Sequence, residues 1–145
     1  MAAREYRGEL LHVKAYKLPE MSVIAAAGEL DISNISALVN VVDGLFGRNL
    51  PLLIDFRELR YIDSMGVNTL VHIHERCASK RIPFSVVASQ VVRRILGVMS
   101  LQDVFSVFDN TALAREYFAA AQRGHQPPAD GSTGDDGKQP AAPRE

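Results

Sequence analysis

Apolar and polar positions alternate over residues 10–17, LLHVKAYK, and a second apolar run, MSVIAAA, fills residues 21–27. Strand side chains point to opposite faces in turn, so both runs predict β-strands. Pro19, with a fixed φ and no N–H, predicts the turn of a hairpin between them. Ala25, Ala26 and Ala27 predict close packing against a neighbouring backbone, and Gly28-Glu29-Leu30-Asp31 closes the second strand. Residues 1–7 read as a polar lead.

From Ser33 the period lengthens. Ile35, Leu38, Val42, Leu45 and Phe46 share one helical face, while Asn34, Asn40 and Asp43 fall mostly elsewhere. Ser33 is the expected N-cap, and Gly47 and Pro51 are the expected terminators. Residues 52–56, nearly all apolar, predict a strand buried on both faces and therefore central in a sheet. A turn is expected over residues 57–60. Val67, Leu70, Val71, His74 and Cys77 then recur at intervals of three and four, which predicts a helix over residues 64–80.

Pro83 precedes another short strand, residues 84–88. Val91, Val92, Ile95 and Leu96 form the expected inner face of a short helix ending near Gly97. Residues 104–108 give a last strand. Leu113, Tyr117 and Phe118, set among alanines, predict a terminal helix capped near Asn110 or Thr111.

Composition bounds these elements to one domain: 145 residues, 47% of them hydrophobic, suffice for one core and are too few for two ordinary ones. Beyond Arg123 the chain contains no Leu, Ile, Val or Phe, so it cannot bury enough surface to offset its ordering entropy. The expected organisation is a lead over residues 1–7, a domain over 8–122 and a disordered tail over 123–145.

A formal net charge of −1 supplies no bulk attraction to nucleic acid, and Lys80-Arg81 and Arg93-Arg94 read as solvated faces. Cys77, the only cysteine, has no partner for an intramolecular disulfide, metal or redox motif, which suits a reducing compartment. No run approaches the roughly 18 apolar residues of a membrane helix, and the N-terminus lacks a signal-peptide core. These features predict a soluble, cytoplasmic protein without cofactor or metal.

One hydroxyl, Ser64, falls where a strand hands over to a helix. As a hydrolase nucleophile it lacks support: the G-x-S-x-G elbow needs glycine where Ile62 stands, and Asp63 cannot supply the role of a histidine base. His72 and His74 lie two or more turns along the same helix. They are two positions apart, i and i+2, and so point to different sides, which also argues against a metal pair. His74 shares the apolar stripe and reads as a satisfied, partly buried histidine. Two readings of Ser64 stay open. It is either a plain N-terminal cap or a phosphoacceptor, whose phosphate would face the unpaired N–H groups and positive end of the helix while adding about 1.5 to 2 negative charges beside Asp63.

Several segments, in this order, resemble the STAS domain of bacterial anti-sigma factor antagonists and sulfate transporter tails. Gly28-Glu29-Leu30-Asp31 is similar to that family's second-strand motif. Leu53-Ile54-Asp55-Phe56 followed by Ile62-Asp63-Ser64-Met65-Gly66-Val67 is similar to its central signature. Val92-Arg93-Arg94-Ile95-Leu96 and Leu101-Gln102-Asp103-Val104-Phe105 resemble its third helix and last strand. The likeness spans residues 8–121. Met65 stands where Ser or Thr is usual, Val67 where Leu is more frequent, and Ser100 where Gly is common.

The resemblance implies an α/β fold, a single STAS-like domain with a small mixed sheet and helices packed on one side, and no catalytic activity. It makes Ser64 the phosphoacceptor of an anti-sigma factor that is also a serine kinase, bound before phosphorylation and released after it. Asp31, Ile32, Asp63, Met65 and Gly66 become the expected partner interface, with the chain a monomer or weak homodimer that contacts neither nucleic acid nor membrane. The rival implied by the same family is a scaffold subunit of a transporter or signalling complex.

Overall fold

The computed structural model describes residues 2–123. Six strands, β1 (Ala2–Arg7), β2 (Leu11–Lys17), β3 (Ser22–Leu30), β4 (Leu52–Ile62), β5 (Phe84–Ala88) and β6 (Ser106–Phe108), form one sheet in sequence order. The pairs β1/β2 and β2/β3 are antiparallel, whereas β3/β4, β4/β5 and β5/β6 are parallel. The sheet is therefore mixed, as expected. Each parallel pair needs a crossover, and α1 (Ile35–Asp43), α2 (Ser64–Ser79) and α3 (Gln90–Val98) supply the three, before α4 (Thr111–Gln122) ends the described chain.

Alternation along the strands divides the interior in two. Leu52, Ile54 and Phe56 of β4 join Val13, Ile24, Leu30, Val86 and the inner faces of α1, α2 and α3 in the main core. Leu53 and Val87 point the other way and meet Met21, Ala114 and Phe118. Helices on one side is thus the arrangement of α1, α2 and α3, while α4 covers the opposite face. The buried side chains of α4 are Ala114 and Phe118, one turn apart, so Leu113 is turned outward instead of inward. In α3 the buried pair is Val92 and Leu96, which leaves Val91 exposed.

Three further expectations change. Residues 1–7, read as a lead, contain the edge strand β1, whose Tyr6 packs against the core. The turn expected over residues 57–60 is strand, because β4 continues to Ile62 with two register shifts against β3. Helix α1 stops at Gly44, before Gly47. Its N-cap position is held by Asn34 without a side-chain cap bond, since Ser33 is engaged with Asp31.

Positive φ is required at Gly28, where φ is 105° and a Cβ would stand 2.1 Å from the Leu10 carbonyl oxygen. Because β3, β4 and β5 run parallel, their carboxyl ends line one edge of the sheet, and α1, α2 and α3 all start there. The predicted tail lies outside the described residues.

Candidate functional site

Ser64 is the first residue of α2, exposed, directly after the carboxyl end of β4. The chain leaves β4 through Asp63, whose extended backbone (φ −94°, ψ −178°) is that of an N-cap, and whose Oδ1 accepts from the Gly66 N–H at 2.8 Å. Asp63 thus occupies the cap position, which leaves the Ser64 hydroxyl free of that duty. The N–H groups of a helix's first turn have no intrahelical acceptor, so those of Ser64 and Met65 remain available on the exposed side.

Gly66 and Val67 are buried behind this hydroxyl. A Cβ on Gly66 would lie 2.7 Å from Ile62 Cγ1 and 3.2 Å from both Leu30 Cγ and the Leu30 carbonyl oxygen. Gly66, expected in the partner interface, is buried in this chain. Its service is to let α2 approach the ends of β3 and β4. Thr69 Oγ1 donates to the Met65 carbonyl at 2.9 Å and fastens the same turn.

The neighbouring loop after β3 comes from 31 residues earlier in the chain. Asp63 N–H donates to the Leu30 carbonyl at 3.2 Å, and Asp63 Oδ2 accepts from the Ile32 N–H at 3.3 Å. One aspartate thus touches both the start of α2 and the β3–α1 loop. Within that loop Asp31 Oδ1 accepts from Ser33 N–H at 2.9 Å and Ser33 Oγ at 2.5 Å. Asn34, buried, accepts from Asp31 N–H and donates to the Glu29 carbonyl, each at 2.9 Å. By helical period Asn34 falls off the apolar face of α1 and shows no role. Its signal was turn chemistry, an Asn three residues after an Asp, both of which bond readily to nearby backbone.

Four expected site residues, Asp31, Ile32, Asp63 and Met65, therefore gather with Ser64 at one edge. Ile32 is 66% and Met65 38% exposed, so two large apolar side chains reach solvent at the edge that carries Ser64, Met65 next to it in sequence and Ile32 on the loop bonded to Asp63.

No histidine comes near it from its own helix: His72 lies about 12 Å along the axis at 1.5 Å per residue. His74 is half-buried, as expected, and packs against Phe84 and Phe105 with ring centroids 5.4 and 5.6 Å away. It is not satisfied, however, because its Nδ1 is buried without a hydrogen-bond partner. Among the described residues no group of three His, Cys, Asp or Glu side chains is placed to hold a metal ion. No described helix is long and apolar enough to cross a membrane.

The STAS domain family model matches residues 12–114, which include the whole of this edge. The chain belongs to the STAS domain family. Among solved structures, an anti-sigma factor antagonist from Mycobacterium paratuberculosis aligns with a TM-score of 0.69 at 22% identity, covering 75% of this chain and 94% of that one. The antagonist SpoIIAA in its unphosphorylated form aligns at 0.57 with 18% identity over 77% of this chain and 98% of that one. The phosphorylated Bacillus SpoIIAA aligns at 0.55 with 16% identity over 72% and 98%. At these identities the likeness establishes the shared STAS fold. No curated protein sequence matches this chain.

Proposed function

We propose that this STAS domain is a cytoplasmic anti-sigma factor antagonist whose partner is an anti-sigma factor with serine kinase activity, and that Ser64 is the phosphoacceptor. The observation that carries the reading is the exposed Ser64, freed from capping by Asp63, on an edge where Ile32 and Met65 are also exposed. Such a surface suits a protein partner: apolar side chains give contact area, and the hydroxyl on the same edge can change charge. The existence of SpoIIAA in phosphorylated and unphosphorylated forms supports the same chemistry in a protein of this fold.

In the transfer, Ser64 Oγ attacks the terminal phosphorus of a nucleoside triphosphate held by the partner. An O–P bond forms, the bond to the β-phosphate oxygen breaks, the diphosphate leaves, and the hydroxyl proton passes to a base on the partner. The product places about 1.5 to 2 negative charges at a contact fitted to a neutral group. Like-charge juxtaposition costs several kcal/mol, so affinity falls about a hundredfold or more and the sigma factor is recaptured.

The test is phosphopeptide mapping after incubation with the cognate kinase and ATP, together with binding by Ser64→Ala and Ser64→Glu. One phosphate at Ser64, tight binding by Ser64→Ala and loss of binding by Ser64→Glu are expected. Modification at another residue, or equal binding by the two variants, overturns the switch.

A further inference from the structure

Asp63 makes two bonds of unequal length from its two carboxylate oxygens: 2.8 Å to Gly66 N–H in α2 and 3.3 Å to Ile32 N–H in the loop after β3. We infer that Asp63 is a positioning residue that holds Ile32 in place, and that a phosphate on Ser64 releases Ile32 by weakening the longer of these bonds. The second half rests on the phosphoacceptor reading given above. The first half stands without it.

Both bonds are accepted by the same carboxylate, one on each oxygen. The cap bond lies inside its own helix turn and follows from the N-cap backbone of Asp63. Its partner bond reaches across 31 residues to a loop whose other anchors lie on either side of Ile32. Asp31 N–H is taken by Asn34, and Ser33 N–H by Asp31. The Asp63 N–H to Leu30 carbonyl bond holds the end of β3 beside α2, and the Ile32 N–H is the tie that carries this hold into the loop itself.

A dianion on the next residue acts on this arrangement in two ways. It repels the Asp63 carboxylate, and it competes for the positive end of α2 that the carboxylate shares. The weaker contact yields first, so the Ile32 bond is lost while the cap remains. Ile32, 66% exposed and the larger apolar contribution to the proposed contact surface, then loses its fixed position. Phosphorylation accordingly changes the shape of the contact surface as well as its charge.

Amide hydrogen exchange of the full chain, followed by NMR at Ile32 and Gly66, reads both bonds separately. Phosphoserine is incorporated at position 64 during synthesis, so the outcome is independent of any kinase. Asp63→Asn removes the charge and leaves one amide oxygen, enough for one acceptor role, and the cap geometry favours keeping Gly66. Relative to the unmodified protein, Ile32 exchange is expected to accelerate about tenfold in Asp63→Asn, the loss of one charge-assisted bond, with Gly66 protection retained. Phosphoserine at position 64 should give the same pattern.

Unchanged Ile32 exchange in Asp63→Asn overturns the positioning role, and Gly66 exchange in the same spectra reports whether the start of α2 stays closed. Asp63→Ala, which loses both bonds, serves as the control that exposes both amides. If Asp63→Asn frees Ile32 but phosphoserine does not, the coupling is overturned. Failure of the kinase to modify Ser64 would instead strike at the functional reading and leave these exchange rates unaffected.

Discussion

Gly66 lies against Ile62 so closely that a Cβ on the glycine would stand 2.7 Å from Ile62 Cγ1, with Leu30 at 3.2 Å on the other side. This contact joins the signature turn to the end of β4 and to β3, the strand that leads into the Ile32 loop. Gly66→Ala therefore forces either Ile62 or the helix to shift. Overpacking of this kind costs about 1 to 3 kcal/mol, which thermal or urea unfolding measures. A variant as stable as the parent would show that the turn has more freedom than the contact implies.

Arg76 joins the next layer outward. Its guanidinium donates to Asp43 of α1 at 2.6 Å and lies over the Phe46 ring, 4.2 Å from its centroid. Exposed ion pairs contribute little, about 0.2 to 1 kcal/mol, and a cation–π contact at an exposed site adds a comparable amount. Arg76→Lys keeps the charge but loses the planar stack, whereas Arg76→Ala loses both. A double-mutant cycle with Asp43→Ala is expected to recover only the ion-pair share, leaving a coupling between Arg76 and Phe46 that high salt weakens less.

Strand β4 shows where sequence reading stopped. Residues 52–56 announced a buried strand, and the change of period after Asp63 announced α2. Beyond Phe56, though, the buried residues are Leu59 and Ile62, spaced by three, because each register shift against β3 adds a residue to β4. That spacing erases the alternation by which a strand is recognised, and the segment resembled a turn. Strand β1 was hidden for a different reason: it lies at a sheet edge and carries Arg4, Glu5 and Arg7, charges of the kind that keep edges from pairing with other chains.

At the site, the hydroxyl and its position at a helix start were legible as pattern, and Asp31 and Ile32 only through the resemblance to the STAS family. The division of labour was not. Asp63 caps the helix in place of Ser64 and Asn34 braces the loop through local bonds that hydroxyl, carboxylate and amide side chains could each have made. The burial of Gly66 depends instead on the meeting of Leu30 and Ile62 at the ends of β3 and β4 that only the folded sheet creates.

Cys77 lies on the buried face of α2, and burial pushes its thiol up to about 12, with the nearby Arg76 charge partly opposing that shift. The thiolate is the reactive form, so the native protein should resist a maleimide or a disulfide reagent at neutral pH. Labelling should proceed at the rate of unfolding and become rapid in denaturant. Fast labelling of the native state would mean that α2 opens locally far more often than its packing suggests.

His74 supplies the pH dependence. Burial penalises its charged form and holds its pKa below the ordinary 6.5, an effect that Glu75 partly counters. Between that lowered value and 6.5 the unfolded chain takes up a proton that the folded chain refuses. The contribution to stability is therefore complete above 6.5 and is lost as pH falls through the window. The unpartnered Nδ1 between Phe84 and Phe105 adds a second cost that is independent of pH. His74→Leu removes both, because an apolar side chain of similar reach leaves no buried donor or acceptor unmet. Urea unfolding at about pH 8 and about pH 5 should show a smaller loss of stability on acidification for His74→Leu than for the parent. It should also show equal or greater stability at the higher pH. An identical pH slope in the two proteins would place the titrating group elsewhere. A marked loss of stability at the higher pH would show that the imidazole makes a contact its unpaired nitrogen does not reveal.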